Sequence, residues 1–265
     1  LDSSSVICAA HYLYGGKLSE LSEKQKITEA YCSHYPGNSQ DETYWAEIVA
    51  KFLDIDLNKV ELKVGENSLG VEEAIQCVED PYITLPIPMM ETYLNIKKDG
   101  YSVSLDGHGA DELFSGYNDL YLMHLNSGDL SSSQILAIQN SLISGKWDSD
   151  INLFDTGKTK SLAFLKYQAK RVRSAVWSDY SRRNQDFQHP NYKNMSLFSK
   201  RLYTIFHISI LPTLLRNYDR YSMASGVEIR MPFLDHDLVN YVFSLPDSSK
   251  VGNGYTKRIL RDAMK

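Results

Sequence analysis

One segment of the chain combines residue types that can hold a phosphate with residue types that can hold a metal ion. It is Asp-Gly-His-Gly-Ala-Asp-Glu-Leu-Phe-Ser-Gly-Tyr, residues 106–117. Two glycines, Gly107 and Gly109, let backbone N–H groups approach a phosphate closely. Asp111 can bind Mg²⁺, a hard cation that prefers oxygen ligands and often bridges substrate phosphates. Glycine-rich turns also serve as plain connections between a strand and a capped helix, so this segment alone leaves both interpretations open.

A second segment, residues 217–235, places charged residues among apolar ones. A charge embedded in apolar surroundings must be paired or bound to a ligand, because burying an unpaired charge is very costly. The side chains concerned therefore form a salt-bridged scaffold, or they hold an anionic substrate and orient active-site acids. They are Asp219, Arg220, Glu228 and Arg230.

The elements that position the first segment are predicted from periodicity. Residues 101–105 alternate large apolar and small polar side chains, which predicts a strand that leads into the glycine loop, and Asp111 and Glu112 open the next helix. Further strands are predicted over 27–35 and 60–64, helices over 6–13, 41–53, 71–78, 90–97 and 120–123, and a proline-broken connection over 80–88. Strands that alternate with helices indicate an α/β fold with a parallel sheet, whose ligands bind at the carboxyl ends of the strands.

After about residue 124 the pattern becomes helical, with no clear strand. Helices are predicted over 135–143, 161–177, 195–218, 238–245 and 256–265. A polar segment over 126–133 marks the predicted boundary. We therefore expect an α/β core over residues 1–125 and a mainly helical portion over residues 126–265.

Composition excludes several classes of protein. The 265 residues can bury a substantial core, and a net charge of −5 argues against an extended nucleic-acid footprint. The basic stretch between Lys166 and Arg183 is accordingly interpreted as a solvated helix face. No apolar run is long enough to span a membrane. Three cysteines without a CxxC pattern predict reduced, mostly buried thiols of a cytosolic protein and no zinc site; they are Cys8, Cys32 and Cys77.

The chain resembles the asparagine synthetase family in four places, in the family's order. Residues 106–117 resemble its SGxGxDExFxGY signature, and residues 219–235 resemble its DRxxM and ExRxPFLD signatures. Residues 1–4 resemble the tail of its SGGxDSS pyrophosphate loop, and residues 256–261 resemble its KxxLR segment. The resemblance implies an N-type ATP pyrophosphatase domain, with a Rossmann-like parallel-sheet core of the adenine nucleotide alpha hydrolase type and a mainly helical second half.

The resemblance also implies a reaction. In the family, ATP activates a carboxylate as its acyl-adenylate and releases pyrophosphate, and an amine then displaces AMP to form an amide. The amine is usually ammonia from glutamine hydrolysis in a separate N-terminal domain. This implies a cytoplasmic ligase with ATP and Mg²⁺ as cofactors, a small-molecule carboxylate and ammonia or an amine as substrates, and a glutaminase domain in the same parent chain. It implies no nucleic-acid or membrane partner, and it leaves a homodimer open.

Residue by residue, the resemblance makes Asp2 and Asp111 the magnesium ligands. It makes the start of the first helix, at Ser3 and Ser4, a donor to phosphate, as a helix N-terminus can be. The ATP contacts are completed by Leu1, Ser33, Asp106 and Gly107. Supporting active-site charges come from Glu112, Arg220, Glu228, Arg230 and Lys257.

Two positions depart from the family's pattern. Asp106 stands where the family has Ser, and His108 stands where it often has an acid that faces the reaction centre. Imidazole titrates near neutral pH, so His108 is either a catalytic base toward the attacking amine or a hydrogen-bonding spacer. The departure leaves other amide-forming reactions open, of the β-lactam synthetase or lasso-peptide cyclase type.

Two other classes are weighed against this one. Another ATP pyrophosphatase, such as a tRNA-modifying or sulfur-transfer enzyme, would favour a basic surface or paired cysteines, and neither is prominent. A nucleotide-binding or assembly domain without chemistry has no need of both Asp2 and Asp111. The Ser-Gly-Gly that should precede Leu1 and the Arg-x-Lys that should follow Lys265 are absent, so we expect a fragment that does not catalyse the full reaction alone.

Overall fold

The structure is a computed structural model. It describes most residues of the N-terminal and C-terminal parts of the chain. They are residues 1–15, 29–39, 41–62, 70–79, 86–117, 120, 190–252 and 255–265. The predicted boundary at 125/126 lies outside these residues. So do the basic stretch, the helices predicted over 135–143 and 161–177, and all but Leu120 of the helix predicted over 120–123.

The described residues contain helices and two small parallel sheets. The helices are α1 (Asp2–Gly15), α2 (Thr43–Leu53), α3 (Val71–Val78), α4 (Pro86–Lys98), α5 (Ala110–Phe114), α6 (Leu197–His207), α7 (Ile210–Ala224), α8 (His236–Ser244), α9 (Asp247–Lys250) and α10 (Arg258–Ala263). The strands are β1 (Glu29–His34), β2 (Asp56–Glu61), β3 (Val103–Leu105) and β4 (Glu228–Arg230). This is consistent with an α/β fold, and the larger Rossmann-like core stays a prediction.

The chain divides into two compact units. Unit 1 consists of Leu1–His108 and Thr213–Leu234, and unit 2 consists of Gly109–Pro212 and Asp235–Lys265. Each unit is described by itself below. Among the described residues, no helix is long and apolar enough to cross a membrane.

In unit 1, β1 and β2 pair in parallel, with Glu29 opposite Asp56 and His34 opposite Glu61. A parallel pair needs a crossover connection, which α2 supplies. The strand predicted over 60–64 is misplaced, because β2 begins at Asp56, soon after α2 ends. Asp54 makes that tight junction possible by adopting a left-handed conformation with φ 55°. The start of β2 is therefore set by pairing with β1 and not by the alternation of its own side chains.

The second sheet joins β3 to β4, with Val103 opposite Glu228 and Leu105 opposite Arg230. Asp106 N donates to Arg230 O at 2.9 Å, which extends the parallel ladder into the glycine loop. The expectation that the second half contains no strand is therefore wrong. A strand of three residues is too short for alternation to reveal, and it forms because β3 offers it a partner.

Two helix boundaries also differ from the predictions. The segment predicted as a connection over 80–88 contains the start of α4 at Pro86, because proline is tolerated in a first helical turn, where its missing N–H has no partner to lose. The single helix predicted over 195–218 is two helices, α6 and α7. They separate at Ile208 and Ser209, whose N–H groups both donate to Thr204 O.

Each unit has its own core. In unit 1, α3, α4 and α7 bury a cluster of apolar side chains: Ala74, Val78, Met90, Tyr93, Ile96, Tyr221 and Val227. In unit 2, α6 packs into a cluster of Leu120, Phe198, Leu202, Ile205 and Val251. All three cysteines are free thiols as predicted, but Cys8 and Cys32 are only partly buried and Cys77 is exposed, so the prediction that they are mostly buried is wrong.

Candidate active site

In unit 1, the loop after β3 packs directly against the first turn of α1. A Cβ added to Gly107 would lie 2.5 Å from Ser3 N and 2.8 Å from Asp2 C. No side chain fits at these distances, so only glycine permits the contact. Two predicted site segments, residues 1–4 and the glycine loop, therefore lie in direct contact at Gly107.

The first turn of α1 is ordered by its own hydrogen bonds. Leu1 O accepts from Ser5 N at 2.8 Å and from Ser5 Oγ at 2.7 Å. The first N–H groups of a helix have no intrahelical acceptor, and the helix dipole makes this end positive. Leu1 and Ser3 are exposed, while Asp2 and Ser4 are partly buried. Beside Gly107, this turn has the chemistry of a phosphate cradle.

The carboxylate of Asp106 is held by two hydroxyl groups. Oδ2 accepts from the Tyr93 hydroxyl at 2.6 Å, and Oδ1 accepts from Ser104 Oγ. Burial and then the Asp106 charge raise the pKa of Tyr93 above its usual range, so Tyr93 remains a donor. Tyr93 projects from α4 and Ser104 lies in β3, so two regular elements fix the position of this acid.

His108 lies beside Asp106, with Nδ1 3.5 Å from Asp106 Oδ2. Its ring also packs on that of Tyr218, with ring centroids 3.9 Å apart and planes tilted by 58°. Burial lowers the pKa of His108, while the nearby carboxylates of Asp106 and Asp2 oppose that shift. The neutral imidazole is therefore the form favoured near pH 7.

Ser33 and Arg220 make defined contacts elsewhere in unit 1. Ser33 Oγ lies 2.9 Å from Thr92 Oγ1, and Thr92 in turn donates to Pro88 O at 3.0 Å. The shared hydrogen bond therefore uses the Ser33 proton, because the Thr92 proton is already donated. Arg220 Nη1 donates to Val78 O at 2.8 Å, so this charge binds the last residue of α3.

The prediction that the embedded charges are paired is confirmed for Glu228 and Arg230, although the pair is exposed to solvent. Their side chains are 57% and 62% exposed, and Arg230 Nε lies 2.9 Å from Glu228 Oε1. They flank Ile229 along β4, and successive strand residues point to opposite faces. Ile229 packs against the core of unit 1, so its two charged neighbours face outward.

In unit 2, Asp111 and Lys257 form an ion pair. Lys257 Nζ lies 2.5 Å from Asp111 Oδ1, and Lys257 N donates to Phe114 O at 3.2 Å. Gly116 makes room for this pair, because a Cβ there would lie 1.6 Å from Asp111 Oδ1 and 2.4 Å from Lys257 Cε. Lys257 is 8% exposed and has a left-handed backbone, with φ 52°.

Glu112, the neighbour of Asp111, has a different environment. It is 2% exposed, and one of its carboxylate oxygens accepts from the Tyr117 hydroxyl. Burial raises the pKa of Glu112, and the hydrogen bond from Tyr117 opposes that shift. The two adjacent acids are thus separated in role, since Asp111 pairs with a cation and Glu112 is an internal hydrogen-bond acceptor.

The two predicted magnesium ligands are one carboxylate in each unit. Asp2 and Asp111 offer carboxylate oxygens, the ligand type that Mg²⁺ prefers. Asp111 already lies against a cation, the Lys257 ammonium group. The two acids belong to different units, so their joint use of one ion stays a prediction.

The structure adds three contact residues that sequence reasoning missed: Tyr93, Ser104 and Tyr218. Ser104 lies in the strand before the glycine loop, and Tyr218 directly precedes Asp219, so the edges of the motifs point to both. No local signal identifies Tyr93, because its contact with Asp106 depends on how α4 packs.

A family model described as asparagine synthase matches residues 1–265. Glutamine-hydrolyzing asparagine synthetase 3 of Bacillus subtilis is 26% identical over 270 residues, which cover 100% of this chain and 41% of that relative. Glutamine-hydrolyzing asparagine synthetase 1 of the same organism is 27% identical over 175 residues, or 61% of this chain and 28% of the relative. The amidase chry2 of Gibberella zeae is 26% identical over 316 residues, or 100% of this chain and 45% of the relative. The chain thus spans less than half the length of these relatives.

Proposed function

The chain belongs to the asparagine synthase family, and on that premise we propose that it is the synthetase part of an ATP-dependent ligase. The ligase forms an amide from a small carboxylate and ammonia, and it cleaves ATP to AMP and pyrophosphate. The observation that carries the proposal is the contact of Gly107 with the first turn of α1, in a chain that the family model matches over its whole length.

We propose a role for the residues on each side of the nucleotide. The α1 N-terminus, with Ser3 and Ser4, binds phosphate through N–H and hydroxyl groups. The AMP portion lies against the remaining predicted contacts: Leu1, Ser33, Asp106 and Gly107. Asp2 and Asp111 are the proposed magnesium ligands, and bound Mg²⁺ would neutralise charge that develops on the leaving pyrophosphate.

The reaction has two balanced steps. A substrate carboxylate oxygen attacks the α-phosphorus of ATP, and pyrophosphate leaves with the electron pair of the broken P–O bond. Ammonia then attacks the acyl carbon, a C–N bond forms, and AMP leaves with the electron pair of the C–O bond. The nitrogen loses a proton in this step, and His108, as a neutral imidazole, can accept it.

The remaining charges support the site in different ways. We assign Lys257 to the pyrophosphate side, since its ammonium group is held beside Asp111. Glu112 and Arg220 act through structure, because Glu112 accepts from Tyr117 in the turn after its own helix and Arg220 binds the end of α3. Glu228 and Arg230 remain proposed supporting charges, and their exposure leaves them accessible to a bound substrate.

The relatives named as glutamine-hydrolyzing are longer than this chain, so we propose that glutamine supplies the ammonia through a further domain of the same protein. A second candidate follows from His108, which stands where the family often has an acid. A neutral base at this position favours an amine or a carboxylate other than those of asparagine synthesis, as in other amide-forming relatives.

The test is ATP–pyrophosphate exchange by the full-length protein, with aspartate and a panel of other small carboxylates. We expect Asp111→Asn to abolish exchange, because an amide is a poor magnesium ligand. Asp262→Asn is the matched control, since Asp262 also pairs with a lysine, Lys265, at 2.6 Å in unit 2. Full exchange by Asp111→Asn would refute the metal role, and the carboxylate that supports exchange in the wild type identifies the substrate.

A further inference from the structure

The two positions that depart from the family's pattern, Asp106 and His108, are spatial neighbours. Asp106 Oδ2 lies 3.5 Å from His108 Nδ1. Both residues are largely buried, with 16% and 21% of their side chains exposed. An acid and an imidazole at adjoining buried positions interact electrostatically, because little water screens them.

The Asp106 carboxylate is held in place by groups other than the imidazole. Ser104 donates to Oδ1 from a strand, and Tyr93 donates to Oδ2 from a helix. Tyr93 is 4% exposed and belongs to the core of unit 1, so its hydroxyl has little freedom to move. Two donors on regular elements therefore hold the Asp106 carboxylate in one orientation toward the ring.

The imidazole is fixed from its other side. Its ring packs on Tyr218, whose own ring lies 5.8 Å from that of the buried Tyr221. His108 Nδ1 is buried and forms no hydrogen bond of good geometry, and Asp106 Oδ2 is an acceptor 3.5 Å away from it. With a proton on Nδ1 the ring presents a donor to the carboxylate, whereas a proton on Nε2 would set a lone pair against it.

We propose that Asp106 is a positioning residue that holds His108 in the Nδ1–H tautomer and leaves Nε2 free to accept a proton. The assigned proton donor is the amine that attacks the acyl-adenylate, and this part of the inference rests on the proposed function. As the C–N bond forms, AMP leaves with the electron pair of its C–O bond, the amine proton moves to Nε2, and Asp106 stabilises the imidazolium. The ring then returns the proton to solvent.

The interaction between Asp106 and His108 accounts for the departure of both positions from the family's pattern. A lone His108 in a buried loop would favour neither tautomer strongly, and the Asp106 carboxylate gives the ring a preferred one. Together they replace a carboxylate that faces the reaction centre with an oriented neutral base, as second groups orient histidine bases in other enzymes.

The tautomer is measured by nitrogen NMR on the full-length protein labelled with ¹⁵N-histidine, where His108→Gln identifies the His108 signals by their loss. We expect the wild type to carry its proton on Nδ1, and Asp106→Ser to shift it toward Nε2. Asp99→Ser is the matched control, because Asp99 also accepts from a tyrosine hydroxyl, that of Tyr31 at 2.7 Å. It should leave the His108 signals in place.

A wild-type His108 protonated on Nε2 overturns the proposal, and that measurement needs no variant at Asp106. An unchanged tautomer in folded Asp106→Ser overturns it as well. A double-mutant cycle on the rate of amide formation should show coupling, with the second substitution costing much less than the roughly 10²-fold or more lost with the first. Independent, additive losses of rate from the two substitutions contradict the proposal. If the protein forms no amide but the tautomer follows Asp106, the proposed function fails and the Asp106–His108 pair stands.

Discussion

Substitution of Gly107 by alanine tests how closely the glycine loop and α1 must approach. The added Cβ would lie 2.5 Å from Ser3 N, whereas ordinary contact begins near 3.4 Å, so the first turn must move by about 0.9 Å. The obstacle is backbone rather than the flexible end of a side chain, so it cannot rotate away. Overpacking of this kind costs about 1–3 kcal/mol of unfolding free energy. For a chain of this size each kcal/mol lowers Tm by about 2–4 °C.

The same displacement should weaken nucleotide binding. Loss of one hydrogen bond to a charged phosphate costs about 1.5–3 kcal/mol. The Kd for ATP with magnesium, measured by titration calorimetry, should therefore rise by roughly ten- to a hundred-fold. This shift should accompany the fall in Tm, since both follow from the displaced turn.

The matched control is Gly70→Ala in the same unit. A Cβ at Gly70 would meet Glu73 Oε2 at 3.8 Å, an ordinary contact, and its backbone is not left-handed. Its cost should stay below about 1 kcal/mol, from a weaker helix cap alone. A Gly107→Ala protein with wild-type Tm and wild-type ATP affinity would show that the loop and α1 do not pack as described.

Two further predictions concern stability. Burial lowers the pKa of Lys250 from 10.5 to about 8, against the opposing Asp247 charge, so between about pH 8 and 10.5 the unfolded chain binds a proton that the folded chain lacks. The unfolding free energy of the wild type, measured by urea titration, should rise with pH in that window relative to that of Lys250→Met. An equal difference in unfolding free energy between the two proteins at pH 7.5 and pH 9.5 would contradict this. Asp54 is exposed with φ 55°, so Asp54→Gly should remove left-handed strain and raise stability by about 1 kcal/mol. Thermal melting checks this, and a lower Tm would show that Asp54 is unstrained.

Local sequence signals predicted features that depend on a few neighbouring residues. The strand before the glycine loop, the helix that contains Asp111 and the start of α1 near Asp2 all lie where motif and periodicity place them. The motif predicts that Gly107 approaches a phosphate, and the structure shows a close contact with the backbone at Ser3, while the phosphate contact stays a prediction. These features follow from the backbone freedom of glycine and from the residue types at helix ends.

Signals of the same kind failed where a partner decides the outcome. β4 has three residues and exists because β3 pairs with it, so its own pattern could not reveal it. The alternation of charged and apolar residues predicts that Glu228 and Arg230 are paired, but it does not predict that the pair lies on an exposed face. The strand's alternation instead turns Ile229 inward and both charges outward.

The sequence by itself determined the kinds of chemistry that this protein holds. It supplies the glycines, the acids, the imidazole at 108 and the order of motifs that marks the family. Only the tertiary structure decided which of these groups meet. Asp106 is oriented toward His108 by Tyr93, and Asp111 is paired with Lys257, because packed helices and a parallel ladder bring together residues that are far apart in the chain. Local periodicity reports which face of an element is apolar, and the partner on that face depends on how the elements pack.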